Sequence, residues 1–163
     1  MKTNFSQLQT NIASLQRDIN QVKTENIYLK RVLDIRKSIA EIEKENVNIK
    51  ITKVEGDTKE KLVYVTMLIE NNGKKINGYL SFLNSIIDNE GNLLKIDFNK
   101  FEVESLPLIN DVPIKRKIAI KYIESEKTQF IKSFGFDLSG KFKDTLIDSK
   151  INFDFRNLPI DWK

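Results

Sequence analysis

The sequence predicts an α+β chain with segregated parts, a long N-terminal coiled-coil helix followed by an all-β immunoglobulin-like sandwich. Three observations carry this expectation. Apolar residues recur at alternating spacings of three and four from Phe5 to Leu33. From Val47 onward the apolar period becomes two. No glycine or proline precedes Gly56, whereas turn-forming clusters punctuate the rest of the chain. The expected parts are residues 1–46, a parallel coiled-coil oligomerisation helix, and residues 47–163, a β-sandwich.

The helix comes first. Phe5, Ile12, Ile19, Asn26 and Leu33 fall at heptad position a, and Leu8, Leu15, Val22 and Leu29 at d. A stripe this narrow marks a coiled-coil seam rather than a helix lying on a globular core. Run from residue 4 to 46 at ~1.5 Å per residue, the rod would be about 65 Å long. These nine residues are the expected oligomer interface. β-Branched residues at a with Leu at d select two parallel strands, and one polar a residue fixes register. Two facing Asn26 amides can bond each other in a parallel, in-register pair; a slipped or antiparallel pair leaves each against hydrocarbon, at about 1–3 kcal/mol per unsatisfied group. In the parallel pair Asp18 meets Lys23 and Glu25 meets Lys30. The expected partner is therefore a second copy of the chain, a parallel dimer ahead of a trimer. Beyond Leu33 the register falters, because Arg36 takes the next d position while Ile35, Ile39 and Ile42 form a displaced stripe. This reads as a stutter or as the junction with the second part. The helix resembles a leucine zipper, yet only Lys2 precedes the first heptad, so the basic region of a DNA-binding zipper is missing.

Eight strands are expected beyond it, at 47–55, 61–70, 75–82, 93–98, 100–104, 114–123, 129–138 and 150–156. The turn signals "EGD", "ENNGK", "DNEGN", "PLINDVP" and "LSGK" separate them. Short strands without an interspersed helical pattern indicate a sandwich. Alternation places Val63, Val65, Met67 and Ile69 on one inward face, with Ile118, Ile120 and Tyr122, then Phe130, Phe134 and Phe136, then Ile151, Phe153 and Phe155 on others. Leu62, Tyr64 and Leu68 make the opposite face of strand 61–70 apolar too, which expects a central, covered strand or an oligomer contact.

Composition narrows the function. With no Cys and no His, disulfides, thiol chemistry, the usual zinc sites and His-dependent triads are excluded. The longest apolar run, "LVYVTMLI" at 62–69, is far short of the ~20 residues a membrane helix needs, and the N-terminus lacks a signal-peptide apolar region. The net charge of +4 is not concentrated: residues 1–46 hold 8 basic and 6 acidic side chains of the chain's 27 and 23.

Asp88, Glu90 and Asn92 alternate as in a calcium loop, but Gly91 and Asn99 stand where an EF-hand pattern fails, so a hairpin turn with Gly91 at positive φ is expected. Lys115, Lys117 and Lys121 line one face of a strand and are candidate partner contacts; their other reading is a solvated face or a protected edge. Aromatic residues do not interleave with them, which argues against nucleic acid. Glu102 and Glu104 sit two apart beside Lys100 on what reads as an outward face, whereas acid–base pairs need a cleft and separated pKa values, and no Gly-rich phosphate cradle is present, so no enzyme activity and no cofactor are expected. Trp162 is either a partner anchor or a plug at the sandwich end.

The reading is a non-enzymatic structural or adaptor protein, a subunit of a larger assembly that contacts other proteins. Its architecture resembles that of phage and virion fibres or collars. The alternative is the soluble part of a bacterial envelope protein acting as a multivalent binding module, with loops 71–75, 88–92 and 105–113 as its contact region; a carboxylate-based hydrolase is a remoter one. A complete chain would be cytoplasmic or virion-borne, and a chain that has lost an N-terminal anchor periplasmic.

Overall fold

The computed structural model of the protein describes residues 2–82, 86–100, 105–121, 128–142 and 149–163, with helix side chains described at 7 and 11–29. The chain divides into two compact units, Met1–Lys37 and Ser38–Lys163. The first holds the helix α1 (Lys2–Arg36). The second holds β1 (Ala40–Lys44), β2 (Val47–Asp57), β3 (Leu62–Asn71), β4 (Ile76–Ser81), β5 (Ile86–Asp88), β6 (Lys95–Ile96), a 3₁₀ turn (Phe98–Lys100), β7 (Leu106–Leu108), β8 (Ile114–Lys121), β9 (Phe130–Gly140), β10 (Ser149–Pro159) and β11 (Asp161–Trp162).

These strands form two sheets. The first runs β1-β2-β3-β8-β6, with β11 beside β2; the second runs β10-β9-β4-β7, with β5 beside β9. All pairings are antiparallel except β11 with β2. The core combines both sheets: Val63, Val65, Met67 and Ile69 of β3 and Ile118 and Ile120 of β8 bury with Phe134, Phe136, Phe153 and Phe155 of β9 and β10. Phe136 stacks on Phe153 with ring centres 5.6 Å apart and meets Phe134 edge-on at 5.6 Å. Each such pair adds roughly 0.5–1.5 kcal/mol to what its buried area contributes.

Three expectations change. The helix ends at Arg36, and residues expected to continue it through 46 form β1 and its turn. The displaced stripe was in part a strand alternation: Ala40 and Ile42 pack against the core while Glu41 and Glu43 face out. The two-residue loop Glu45–Asn46 has φ of 49° and 65°, the backbone of a type I′ hairpin turn, which Asn accepts without glycine. The unit boundary therefore lies near residue 37, not 46. In β9, Ile131 rather than Phe130 takes the buried position, because the pairing shifts between Ile87↔Ser133 and Asp88↔Ile131 and the bulge moves the alternation by one residue. The short strands β5, β7 and β11 lack enough residues to show a period. Tyr122 and residues 101–104 lie outside the described residues.

β3 is central, between β2 and β8, and Leu62, Thr66 and Leu68 on its second face are buried as well. Leu68 is flanked in register by Lys50 and Lys115, whose hydrocarbon stems suit such cover.

The C-terminus closes the sandwich. After β10, β11 crosses to the first sheet and pairs with Glu55 and Gly56. The Trp162 ring occupies the space where a side chain at 56 would sit, since a Cβ there would fall 2.0 Å from Cε3. Its Nε1 donates to the Thr128 carbonyl at 2.8 Å. Gly56→Ala is expected to displace the indole, at a cost of about 1–3 kcal/mol, read as a lower melting temperature with red-shifted tryptophan emission. Phe136→Ala should cost about 3–5 kcal/mol by leaving a cavity among its ring neighbours, checked by denaturant unfolding.

Candidate interaction surfaces

The helix carries the first surface. Ile12, Leu15, Ile19, Val22 and Leu29 are 52–60% exposed, and every described helix side chain is exposed, Asn26 included. Phe5, Leu8 and Leu33 lie in α1 with side chains outside the described residues. Ile27 and Tyr28, which the heptad reading leaves off the seam, are also exposed at 54% and 67%, widening the apolar surface beside Asn26. Gln21 donates to Glu25 at 3.0 Å, one turn apart.

The outward face of the first sheet is the second surface. Lys115, Lys117 and Lys121 are exposed there. Lys117 Nζ sits 3.9 Å from the centre of the Tyr64 ring, a cation–π contact worth roughly 0.5–1 kcal/mol at an exposed site. Lys121 Nζ lies 3.5 Å from Asp97 Oδ1. The Tyr64 hydroxyl bonds Glu60, which Lys100 Nζ also reaches at 2.8 Å. Bonds from Lys100 and then Tyr64 hold the Glu60 carboxyl below the usual range, and the same carboxylate raises Tyr64. Sequence spacing found the lysines. It missed Tyr64, Glu60 and Lys100; the first two meet four residues apart at the start of β3, and Lys100 is brought to them by the fold from 40 residues away.

Trp162, the other expected contact, is half-buried in the closure described above rather than standing free. A cleft of about 530 Å³ lies beside it, lined by Ile39, Thr52, Val54, Ile160, Asp161 and Lys163 among others. Glu55 also lines it, and its hydrogen bond from Lys163 holds the carboxyl below the ordinary range, which suits an ion-pair partner rather than a proton donor.

The loops are tied down. The buried Asp88 carboxylate accepts from the amides of Glu90 and Asn92 at 2.9 and 2.8 Å and from Asn92 Nδ2 at 2.9 Å, and Gly91 has φ of 92°. That is an Asp-closed turn in which the acid's acceptors are occupied by protein donors. Buried Asn71 plays the same part elsewhere: it donates to the carbonyls of Lys74 at 2.8 Å and Leu108 at 3.2 Å and accepts from the Gly73 amide at 3.0 Å. It thereby links loop 71–75 to the segment whose Ile109 and Val112 are 44% and 46% exposed. Among the described residues no group of three or more acidic side chains is arranged to hold a metal ion, and no helix is long and apolar enough to cross a membrane. Glu102 and Glu104 lie outside the described residues.

No protein-family model matches this chain, and no curated protein matches it. Among solved structures, it is similar to a candidate lipoprotein, ycdA, of Bacillus subtilis subsp. subtilis str. 168, at 10% identity and a TM-score of 0.44. The match covers 74% of this chain and 39% of that one.

One carboxylate couples the first sheet to pH. Glu41 accepts from Asn48 Nδ2 at 2.6 Å and lies 3.6 Å from Lys50, and these contacts, the Asn48 bond first, hold its pKa below the usual value. A depressed folded value means the stabilisation is complete above the unfolded carboxylate pKa, about 4.3, and is lost as pH falls through the folded one. Wild type and Glu41→Gln should therefore differ in melting temperature at pH 7, the difference shrinking as pH falls below the unfolded carboxylate pKa, measured by thermal melts from neutral to acid pH.

Proposed function

We propose that this chain is a non-enzymatic structural or adaptor protein in which α1 pairs with α1 of a second copy as a parallel coiled coil, each copy presenting an immunoglobulin-like sandwich within a larger protein assembly. The observation that carries the reading is the unpartnered seam, in which five large apolar side chains of the a and d positions stand at least half exposed. Burying a Leu, Ile or Val contributes about 1.5–3 kcal/mol. A lone helix has no comparable source of stability, since helical propensity alone leaves isolated helices marginal. Asp18 and Lys23 at g and e, with Asn26 at a, favour the parallel register.

The strand order supports the immunoglobulin-like description. β2-β3-β8-β6 against β10-β9-β4 reproduces the pairing A-B-E-D against G-F-C, with β1 added outside A and β7 beside C. A second reading, a multivalent binding module, is favoured by the Ile109 and Val112 side chains held out on a segment that Asn71 fixes. Paired sandwiches would engage a repeated partner through such tips with the gain that tethering supplies.

Sedimentation equilibrium of the full chain tests the pairing. Wild type is expected at twice the chain mass at micromolar concentration. Leu15→Asp with Ile19→Asp should return it to the single-chain mass with the sandwich's melting transition kept. Wild type sedimenting as a single chain would overturn the reading. Asn26→Val is expected to raise the melting temperature while allowing mixed stoichiometry or orientation, read by the same method and by disulfide trapping of cysteines placed at the helix ends.

A further inference from the structure

The two edges of the first sheet carry opposite charge on the same face. β1 forms one edge, with Glu41 and Glu43 exposed on its outward side. At the other edge β6 pairs with β8 only at Ile120 and Lys121, and the Asp97 amide reaches the Ala119 carbonyl at 2.8 Å. Among the described residues, nothing pairs with Ile114–Ile118 on the side away from β3. That stretch presents Lys115 and Lys117 outward. The register runs unbroken across the sheet, Glu41 to Lys50 to Leu68 to Lys115, so acidic and basic rows lie on one face.

The edges fit each other in further respects. β1 has five residues, the same length as the open stretch of β8. Successive neighbours β1, β2, β3 and β8 are antiparallel, so the β1 of a second copy set alongside in the same orientation meets β8 antiparallel. In the register that faces Glu43 with Lys115 and Glu41 with Lys117, the half-buried Ala40 and Ile42 share the inward side with Ile118 and Arg116. Glu43 and Lys115 have no ionic partner among the described residues.

We propose that the first sheet of one copy continues into that of the next, β1 adding to the open edge of β8. Unpaired edges template strand addition, and facing opposite charges select this pairing over β1 with β1 or β8 with β8, where like charges meet. The two surfaces differ, so the contact is heterologous and propagates head to tail rather than closing as a two-fold pair. It is independent of the helical seam, and the two together would give a cross-linked array.

Full-length chain carrying Leu15→Asp and Ile19→Asp, in which the seam is broken, isolates this contact. Its sedimentation velocity is expected to show a single chain at micromolar concentration and, towards 1 mM, self-association that weakens on raising salt from 50 to 500 mM. In that background Glu43→Lys and Lys115→Glu should each weaken association at least tenfold, and a 1:1 mixture of the two should restore it. Lys59→Glu, a charge change of the same size on an exposed turn away from both edges, should behave as its parent. Association unchanged in Glu43→Lys and Lys115→Glu, no restoration on mixing, or an equal loss in Lys59→Glu would each overturn the proposal. If the seam-broken chain stays a single particle up to 1 mM while the seam-intact chain pairs, the edge contact fails and the helical pairing stands. Among the described residues Glu43 and Lys115 make no side-chain bond, and thermal melts confirm that each variant is folded.

Discussion

The aromatic layer between the sheets is the constraint on which the second unit depends. Phe134 and Phe136 on β9, with Phe153 and Phe155 on β10, are buried to within 2% of full cover, and their rings pack on one another as the inward face of the second sheet, in one core with the apolar face of the first. A strand offers a side chain to a given face only every second residue, so filling this layer sets the register of the β9–β10 hairpin. The opposite face of that hairpin is then obliged to be polar, and Ser133, Asp137, Asn152 and Asp154 bond across it. Interior packing and outer hydrogen bonding are thus two consequences of one alternation.

Around that layer the chain spends its buried polar groups on closure. Asp88 and Asn71 each satisfy several loop donors or acceptors from a buried position, which a flexible loop could not sustain without orphaning them. Trp162 closes the remaining end with an apolar ring over Gly56 and one hydrogen bond to Thr128. The loops closed by Asp88 and Asn71 are accordingly prearranged by protein contacts.

The helix obeys different physics. A strand buries its face within the sandwich, whereas the described apolar side chains of α1, Ile12, Leu15, Ile19, Val22 and Leu29 among them, are exposed. The proposed assembly would cover them with a second helix, and the proposed edge contact would use the charge contrast between the edges of the first sheet. The carboxyls of Glu41, Glu55 and Glu60 are each held below the usual range by hydrogen bonds and charges within the chain.

Residue patterning alone determined the strands at 47–55, 61–70 and 150–156 nearly to their ends and the Gly91 turn, because each is a local rule with a short period. The lysines of β8 were legible for the same reason. Tertiary structure alone decided that 40–44 is a strand, since only its pairing with β2 distinguishes Ala40 and Ile42 on an edge from the same residues on a helix. It also decided that Ile131 displaces Phe130 from the core, because a bulge is set by the partner strand. The approach of Lys100 to Glu60 and the placing of Glu43 and Lys115 at opposite edges of one sheet are likewise decided by the tertiary fold, which joins residues too far apart in sequence for any local period to register.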